Sequence, residues 1–246
     1  MGFSFLRIAP TLITTAITER ALKLSPRQLE LAGALYSFGA IWSLLSIFVA
    51  ESLTPGYNVS TEAVSGLGLP YFSGICNTIP TCVTPVEPAA AVFVFSLFLN
   101  GVLLLAAGYL LLKGIGHRWF SLGVVSVGVG NLLVGASYIP IYLGATAAGQ
   151  VGVAYAIHVL GAFVVFILGP VITIAAWRVV SGLFRYFGVG VGAMALVAFV
   201  LFVTGNSLGL GYGGMERMII YPLELWAMGF GVYLMTGQGL GSADRP

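Results

Sequence analysis

Long apolar stretches, separated by short polar segments, dominate the chain. A helix that crosses a bilayer needs about 20 mostly apolar residues. Six stretches qualify, running approximately from Leu29 to Ala50, Ala90 to Leu112, Phe120 to Leu143, Val151 to Trp177, Gly188 to Asn206 and Met215 to Thr236. Each is continuous rather than alternating, and backbone groups in lipid must be paired within a helix or a closed barrel. We therefore predict an all-α fold, a six-helix transmembrane bundle.

Composition supports this assignment. The 246 residues are 59% hydrophobic and 7% charged, whereas a soluble domain carries about 25% charged residues. The net charge of +2 comes from scattered basic residues and does not indicate nucleic-acid binding. We expect one membrane domain, residues 29–236, followed by a cytoplasmic tail, residues 237–246.

The basic residues predict the orientation, because Lys and Arg concentrate on the cytoplasmic side. Nine of the ten lie in segments that fall on the same side of the membrane: before the first span, between the second and third, between the fourth and fifth, and after the sixth. They are Arg7, Arg20, Lys23, Arg27, Lys113, Arg118, Arg178, Arg185 and Arg245. The tenth, Arg217, lies at the opposite end of the sixth span. We expect a multi-pass protein of the cell membrane with both termini in the cytoplasm.

Two segments lie outside the spans. Residues 1–28 contain a short apolar run crossed by Arg7 and Pro10, which favours a cytoplasmic segment lying along the membrane surface. The external connection, about residues 51–90, is long enough to form a structured cap. It contains Cys76 and Cys82, which we expect to form a local disulfide, with two free thiols as the alternative. A pair without a nearby histidine is a poor metal signature, and we predict no metal and no cofactor.

Glycine is frequent, with 34 residues. Gly130 in the third span, and Gly188, Gly190 and Gly192 in the fifth, lack the spacing of a nucleotide-binding loop, so close helix packing is the better interpretation. The run from Gly209 to Gly214 predicts a tight turn, with a backbone cradle as the alternative.

Polar residues inside the spans need partners, because an ionisable group in lipid is costly. Glu224 and His158 are the ionisable examples, and Asn100 and Asn131 add amides. Glu224 follows Arg217 by seven positions, and His158 lies as far into the fourth span, so each is roughly 10 Å below the outer face at ~1.5 Å per residue. We expect Glu224 and His158 to share one outer layer.

Angular spacing groups further residues on the sixth helix. Arg217, Tyr221, Glu224 and Met228 are separated by four, three and four positions and therefore form one stripe. We expect this stripe to face the bundle interior. Pro222 frees the carbonyl of the residue four positions earlier and predicts a kink.

Several short motifs follow one another along the chain. Pro55–Ser60 and Val64–Gly68 follow the first span, Phe98–Gly101 lies in the second and His158–Ala162 in the fourth, and Gly213–Arg217 with Tyr221, Pro222 and Trp226 opens the sixth. This succession resembles the prokaryotic membrane family labelled domain of unknown function 998, from about residue 30 to 236. The resemblance implies a six-helix fold and no particular activity. It also supports grouping six residues as a site: Asn58, Ser65, Asn100, His158, Glu216 and Arg217.

These observations favour several hypotheses. In the first, the protein binds a lipid headgroup or small polar ligand in an outward-facing site. Arg217 would hold an anionic group, and His158, with Glu216 or Glu224, would bind or transfer protons. The alternatives are an accessory subunit among other membrane subunits, a proton or ion path, a membrane-embedded hydrolase using Ser60 or Ser65, and purely structural polar contacts, in which Glu224 pairs with His158 or stays protonated.

Overall fold

The computed structural model describes residues 25–68, 88–115, 117–142 and 148–236. These form six long helices, each long and apolar enough to cross a membrane. They are α1 (Pro26–Leu53), α2 (Ala89–Gly114), α3 (Arg118–Tyr142), α4 (Ala148–Ala175), α5 (Gly182–Val203) and α6 (Gly211–Thr236). Short 3-10 helices occupy Val64–Gly68 and Ala176–Arg178. The all-helical fold with six spans is confirmed, and the chain is a multi-pass membrane protein.

All six helices begin before the predicted limits, by one to six residues. Before α1, the Ser25 hydroxyl accepts a bond from the Gln28 N–H, and the Gln28 side chain accepts one from the Ser25 N–H. This reciprocal capping box starts the helix at Pro26. α5 begins at Gly182, after the N-cap residue Ser181, and it includes Arg185, whose Nε donates to the Val180 carbonyl at 3.1 Å.

The helices form a closed ring. Each packs against its neighbours in sequence, and α6 returns to α1. Glycines allow close contacts: a Cβ on Gly161 of α4 would lie 2.7 Å from the Gly130 carbonyl oxygen of α3. Gly188 and Gly192 are similarly close to their neighbours, whereas a Cβ on Gly190 would meet nothing within 4 Å. The predicted packing role is therefore confirmed for Gly130, Gly188 and Gly192 but not for Gly190.

The two ends of the ring differ. One, the basic end, is where α1, α3 and α5 begin, and it carries Arg27, Lys113, Arg118, Arg178 and Arg185. The other, the loop end, carries residues 54–68 and 204–210. Positive φ angles of 84° at Gly209 and 77° at Gly211 require glycine and confirm the turn before α6.

Several predicted features lie outside the described residues. These are most of the N-terminal interfacial segment, the cysteine pair Cys76 and Cys82, and the tail 237–246. The connection 51–90 is described at its two ends, residues 51–68 and 88–90.

Candidate functional site

Arg217, in the second turn of α6, is the centre of a polar cluster at the loop end. Its Nη2 lies 2.5 Å from Oε1 of Glu51, and its Nε donates to the same oxygen at 3.1 Å. Nη2 also donates to the Tyr57 hydroxyl at 2.9 Å. Its Nη1 is 2.7 Å from the Val59 carbonyl and 2.9 Å from that of Gly213. All the guanidinium nitrogens are engaged, so Arg217 fastens residues 51–62 to α6 rather than offering a free donor.

Tyr57 completes this cluster. Its hydroxyl donates to the Ala63 carbonyl at 2.7 Å, and the Arg217 guanidinium carbon lies 5.5 Å from its ring centroid. Burial raises the pKa of Tyr57 above its ordinary value, although the adjacent Arg217 acts in the opposite direction. The phenol therefore remains a hydrogen-bond donor at neutral pH.

Glu216, adjacent to Arg217, anchors the short helix Val64–Gly68. It is 2% exposed, and its Oε2 accepts the Val64 N–H at 2.5 Å. The N–H and hydroxyl of Ser65 also donate to this carboxylate. A carboxylate at a helix N-terminus satisfies unpaired N–H groups and complements the helix dipole. Glu216 and Ser65 are thus brought together, as the grouping from the sequence implies.

Asn58 stabilises the turn that precedes this helix. Its Oδ1 accepts the Ser60 N–H at 2.9 Å, and its own N–H donates to the Glu62 carboxylate at 3.1 Å. The Ser60 hydroxyl donates to the Leu210 carbonyl at 2.6 Å. Ser60 and Ser65, the serines considered for a hydrolase, therefore bond to the backbone of the α5–α6 turn and to Glu216.

His158 lies in α4, facing α3. Its Nδ1 is 3.4 Å from the Ser137 hydroxyl, and its ring packs edge-on against Tyr138, with centroids 5.6 Å apart. The Tyr138 hydroxyl in turn donates to the Ser65 carbonyl at 2.9 Å. His158 is thus linked to the loop-end cluster through one aromatic side chain.

Glu224 has a different partner from the one considered in the sequence. Its Oε1 accepts the Ser43 hydroxyl of α1 at 2.7 Å, so it bonds to Ser43 rather than to His158. Tyr221, one turn above, donates to Glu51 at 3.3 Å. Arg217, Tyr221 and Glu224 all face α1, which confirms the interior stripe.

A cavity with a mixed apolar and polar lining lies between the helices, at mid-height. Its volume is about 70 Å³, enough for a few water molecules, since one requires about 10–15 Å³ by this measure. α1, α2, α3, α4 and α6 contribute its walls, and the polar side chains among them are Tyr36, Asn100, Asn131, Thr173, Glu224 and Trp226.

Three of these side chains lack a hydrogen-bond partner among the described residues: Asn100, Tyr36 and, at its Nε1, Trp226. Asn100 is 4% exposed and Tyr36 is 3% exposed. A buried polar group left unpaired costs about 1–3 kcal/mol, and water or another polar occupant of the cavity would satisfy these groups.

The candidate residues therefore divide into two groups. Asn58, Ser65, Glu216, Arg217 and Tyr221 form the loop-end cluster, with His158 at its edge. Asn100 and Glu224 line the central cavity, and neither His158 nor Arg217 does.

Sequence reasoning missed Glu51, Ser43 and Tyr36 as site residues. A signal was present in α1, where Tyr36, Ala40 and Ser43 follow helical spacing and place two hydroxyls on one face. The hydrophobic pattern places Glu51 in the external connection, but it belongs to the last turn of α1.

A family model described as protein of unknown function (DUF998) matches residues 37–233. No curated protein and no solved structure matches the chain.

Proposed function

The chain belongs to the family of proteins of unknown function DUF998, and we propose that it binds a small polar solute inside the membrane, in the central cavity. Asn100 and Glu224 are its main ligands. The observation that carries this proposal is the pair of buried, unpartnered polar side chains, Asn100 and Tyr36, that face the cavity beside Glu224.

The loop-end cluster supports a different role. The Arg217 guanidinium is fully engaged by Glu51, Tyr57 and three backbone carbonyls. A lipid phosphate would have to displace a buried ion pair, whose loss costs several kcal/mol. The cluster therefore closes the loop end of the ring, and the cavity is the better binding site.

The polar side chains that line the cavity differ in their bonding from the polar side chains that hold helices together. Buried polar groups that hold helices together are bonded to each other, as Ser37 is to the Met228 carbonyl at 2.9 Å. Asn100 makes no such bond within the described residues, although its Oδ1 lies beside Gly39 of α1. An occupant of the cavity would satisfy its amide.

The test compares stability with solute binding. Thermal unfolding of the purified protein in detergent is measured with sodium, potassium and ammonium chlorides at constant ionic strength, and with ethanolamine, formate and glycerol. We expect at least one solute to raise the melting temperature of the native protein but not of Asn100→Leu.

In the solute-free reference buffer, we expect the melting temperature of Asn100→Leu to lie within about 2 °C of the native value or above it. The variant loses no protein hydrogen bond and gains apolar contact. A native protein that responds to no solute would overturn the proposal, and a markedly less stable Asn100→Leu would then favour a structural role.

We infer further that the basic end faces the cytoplasm of a cell membrane, because basic residues flank the spans there. The test places a single cysteine at Ser52 or at Trp119, in a chain whose native cysteines are changed to serine. A membrane-impermeant maleimide should label Ser52→Cys in intact cells and Trp119→Cys only after permeabilisation. The reverse pattern would invert the orientation.

A further inference from the structure

We propose that the occupant of the central cavity is a monovalent metal cation of the sodium class, held by oxygen atoms beside an ionised Glu224. This inference deepens the proposed function and rests on it, since it names the class of solute that the cavity takes.

The first argument concerns where the side-chain protons point. The Thr173 hydroxyl donates to the Gly169 carbonyl at 2.9 Å, and the Asn131 amide nitrogen donates to the Val127 carbonyl at 3.3 Å. Both residues line the cavity. The Thr173 hydroxyl has no second proton, and one N–H of the Asn131 amide is used within its own helix, so the oxygen lone pairs of both side chains remain available to an occupant. Available lone pairs on side chains that line one cavity can bind a cation or a hydrogen-bond donor.

The second argument concerns Glu224. The Ser43 hydroxyl donates a hydrogen bond to its Oε1 at 2.7 Å, and Oε2 receives no hydrogen bond from the described residues. A cation bound at Oε2 would favour the ionised form of this carboxylate, because an adjacent opposite charge stabilises it. The cavity thus combines one carboxylate with amide and hydroxyl oxygens, and hard cations prefer this ligand chemistry.

Charge balance selects the valence of the ion. Glu224 is the one charged side chain among the described residues that line the cavity. An isolated charge in the membrane interior is costly, and a paired one is tolerated. One monovalent cation neutralises one carboxylate, whereas a divalent ion would leave an uncompensated positive charge.

The cavity has room for a small ion and its waters. A volume of about 70 Å³ corresponds to about five water molecules, since a single water needs about 10–15 Å³ by this measure. Choline carries its charge behind methyl groups, so oxygen atoms cannot approach its nitrogen as they approach an alkali-metal ion. It therefore serves as the inert replacement cation in the test.

Trp226 provides a native reporter. Its indole lines the cavity, while its Nε1 lies beside Gly188 of α5 and has no hydrogen-bond partner among the described residues. A cation bound near the indole face changes its electrostatic environment. Ion binding should therefore alter tryptophan emission.

The experiment titrates NaCl against choline chloride at fixed ionic strength and follows thermal unfolding and tryptophan emission of the full chain in detergent. At saturating Na⁺ we expect the melting temperature to rise by about 5 °C, the size expected for a ligand well above its Kd. Potassium should act in the same direction.

Glu224→Gln keeps the side-chain size and an acceptor for Ser43 but removes the charge. We expect it to melt near the native temperature in choline and to lose most of the Na⁺-dependent rise. The matched control, Glu30→Gln, removes an exposed carboxylate at the start of α1 and should retain the full rise. Should Glu224→Gln not fold, Asn100→Leu replaces it, with an expected loss of at least tenfold in apparent Na⁺ affinity.

The inference is overturned if the native protein melts at the same temperature in Na⁺ and in choline. It is also overturned if Glu224→Gln keeps the full Na⁺ response or, where that variant does not fold, if Asn100→Leu keeps it. A response to ethanolamine, formate or glycerol without any to alkali-metal ions would uphold the proposed function and reject the cation. Absence of any response rejects both.

Discussion

Arg217 of α6 and Glu51 of α1 form an ion pair where the two helices meet and close the ring. Their side chains are 9% and 13% exposed. The guanidinium approaches the same carboxylate oxygen through Nε and Nη2, at 3.1 and 2.5 Å. This pair lies at the junction of three parts of the chain, because Arg217 also bonds to the carbonyls of Val59 and Glu62.

Replacing Arg217 with Met should lower the free energy of unfolding by about 3 kcal/mol, since it leaves Glu51 as an uncompensated, largely buried charge. Denaturation in mixed detergent micelles measures this loss. Arg178→Met, which removes an exposed arginine at the basic end, should cost less than about 0.5 kcal/mol.

A double-mutant cycle separates the pair from the rest of the cluster. The variant Glu51→Gln with Arg217→Met should recover part of the loss, because the unpaired charge is gone. Strict additivity of the two substitutions would contradict a direct ion pair.

Glu216→Ala should release the short helix Val64–Gly68. Removing the carboxylate leaves the Val64 N–H, now bonded at 2.5 Å, without an acceptor, at a cost of about 2 kcal/mol. We expect amide hydrogen exchange in residues 64–68 to accelerate by about tenfold or more. Glu30→Ala on the surface of α1 is the control, and unchanged exchange in Glu216→Ala would show that the helix is held by other contacts.

The glycine contacts offer a matched pair of alanine substitutions. In Gly161→Ala the new Cβ would lie 2.7 Å from the Gly130 carbonyl oxygen and 2.8 Å from the Val134 nitrogen, so α3 and α4 must separate. We expect a lower melting temperature by several degrees. Gly190→Ala meets open space and should be neutral or stabilising by up to ~1 kcal/mol, since alanine favours the helix. Equal effects of the two changes would refute the packing argument.

Tyr57 predicts a dependence of stability on alkaline pH. Its pKa is raised in the folded protein by burial, whereas in the unfolded chain it titrates near its ordinary value of about 10. The contribution of the protonated phenol is therefore complete below pH ~10 and is lost as the pH rises above that value. Tyr57→Phe should unfold with a shallower decline between pH ~9 and ~11 than the native protein, and parallel curves would contradict the burial of this phenol.

Much of the site chemistry was visible in the sequence as isolated residues. Glu224 stood out because a carboxylate within an apolar span needs an explanation, and its helical spacing from Arg217 predicted a shared face, which is confirmed. The partners were not predictable: Glu224 meets Ser43, 181 positions away, and Arg217 meets Glu51, 166 positions away. Each is set by how two helices are rotated about their axes.

The division of the candidate residues into two groups also required the structure. Glu224 and His158 were expected in one layer, because depth can be counted along a helix. They nevertheless face different neighbours, α1 and α3. Counting gives height along each helix but not the direction in which its side chain points.

The number of spans, their approximate limits and the closely packed glycine at position 130 follow from the amino-acid order alone. Hydrophobicity and backbone pairing are local properties of a segment in lipid, so they can be read one helix at a time. Three relationships required the folded structure: the helices close into a ring through α1 and α6, Arg217 bonds to Glu51 and the loop, and Asn100 and Tyr36 line a cavity beside Glu224. These relationships depend on the mutual rotation and offset of distant helices, which packing across the whole bundle sets.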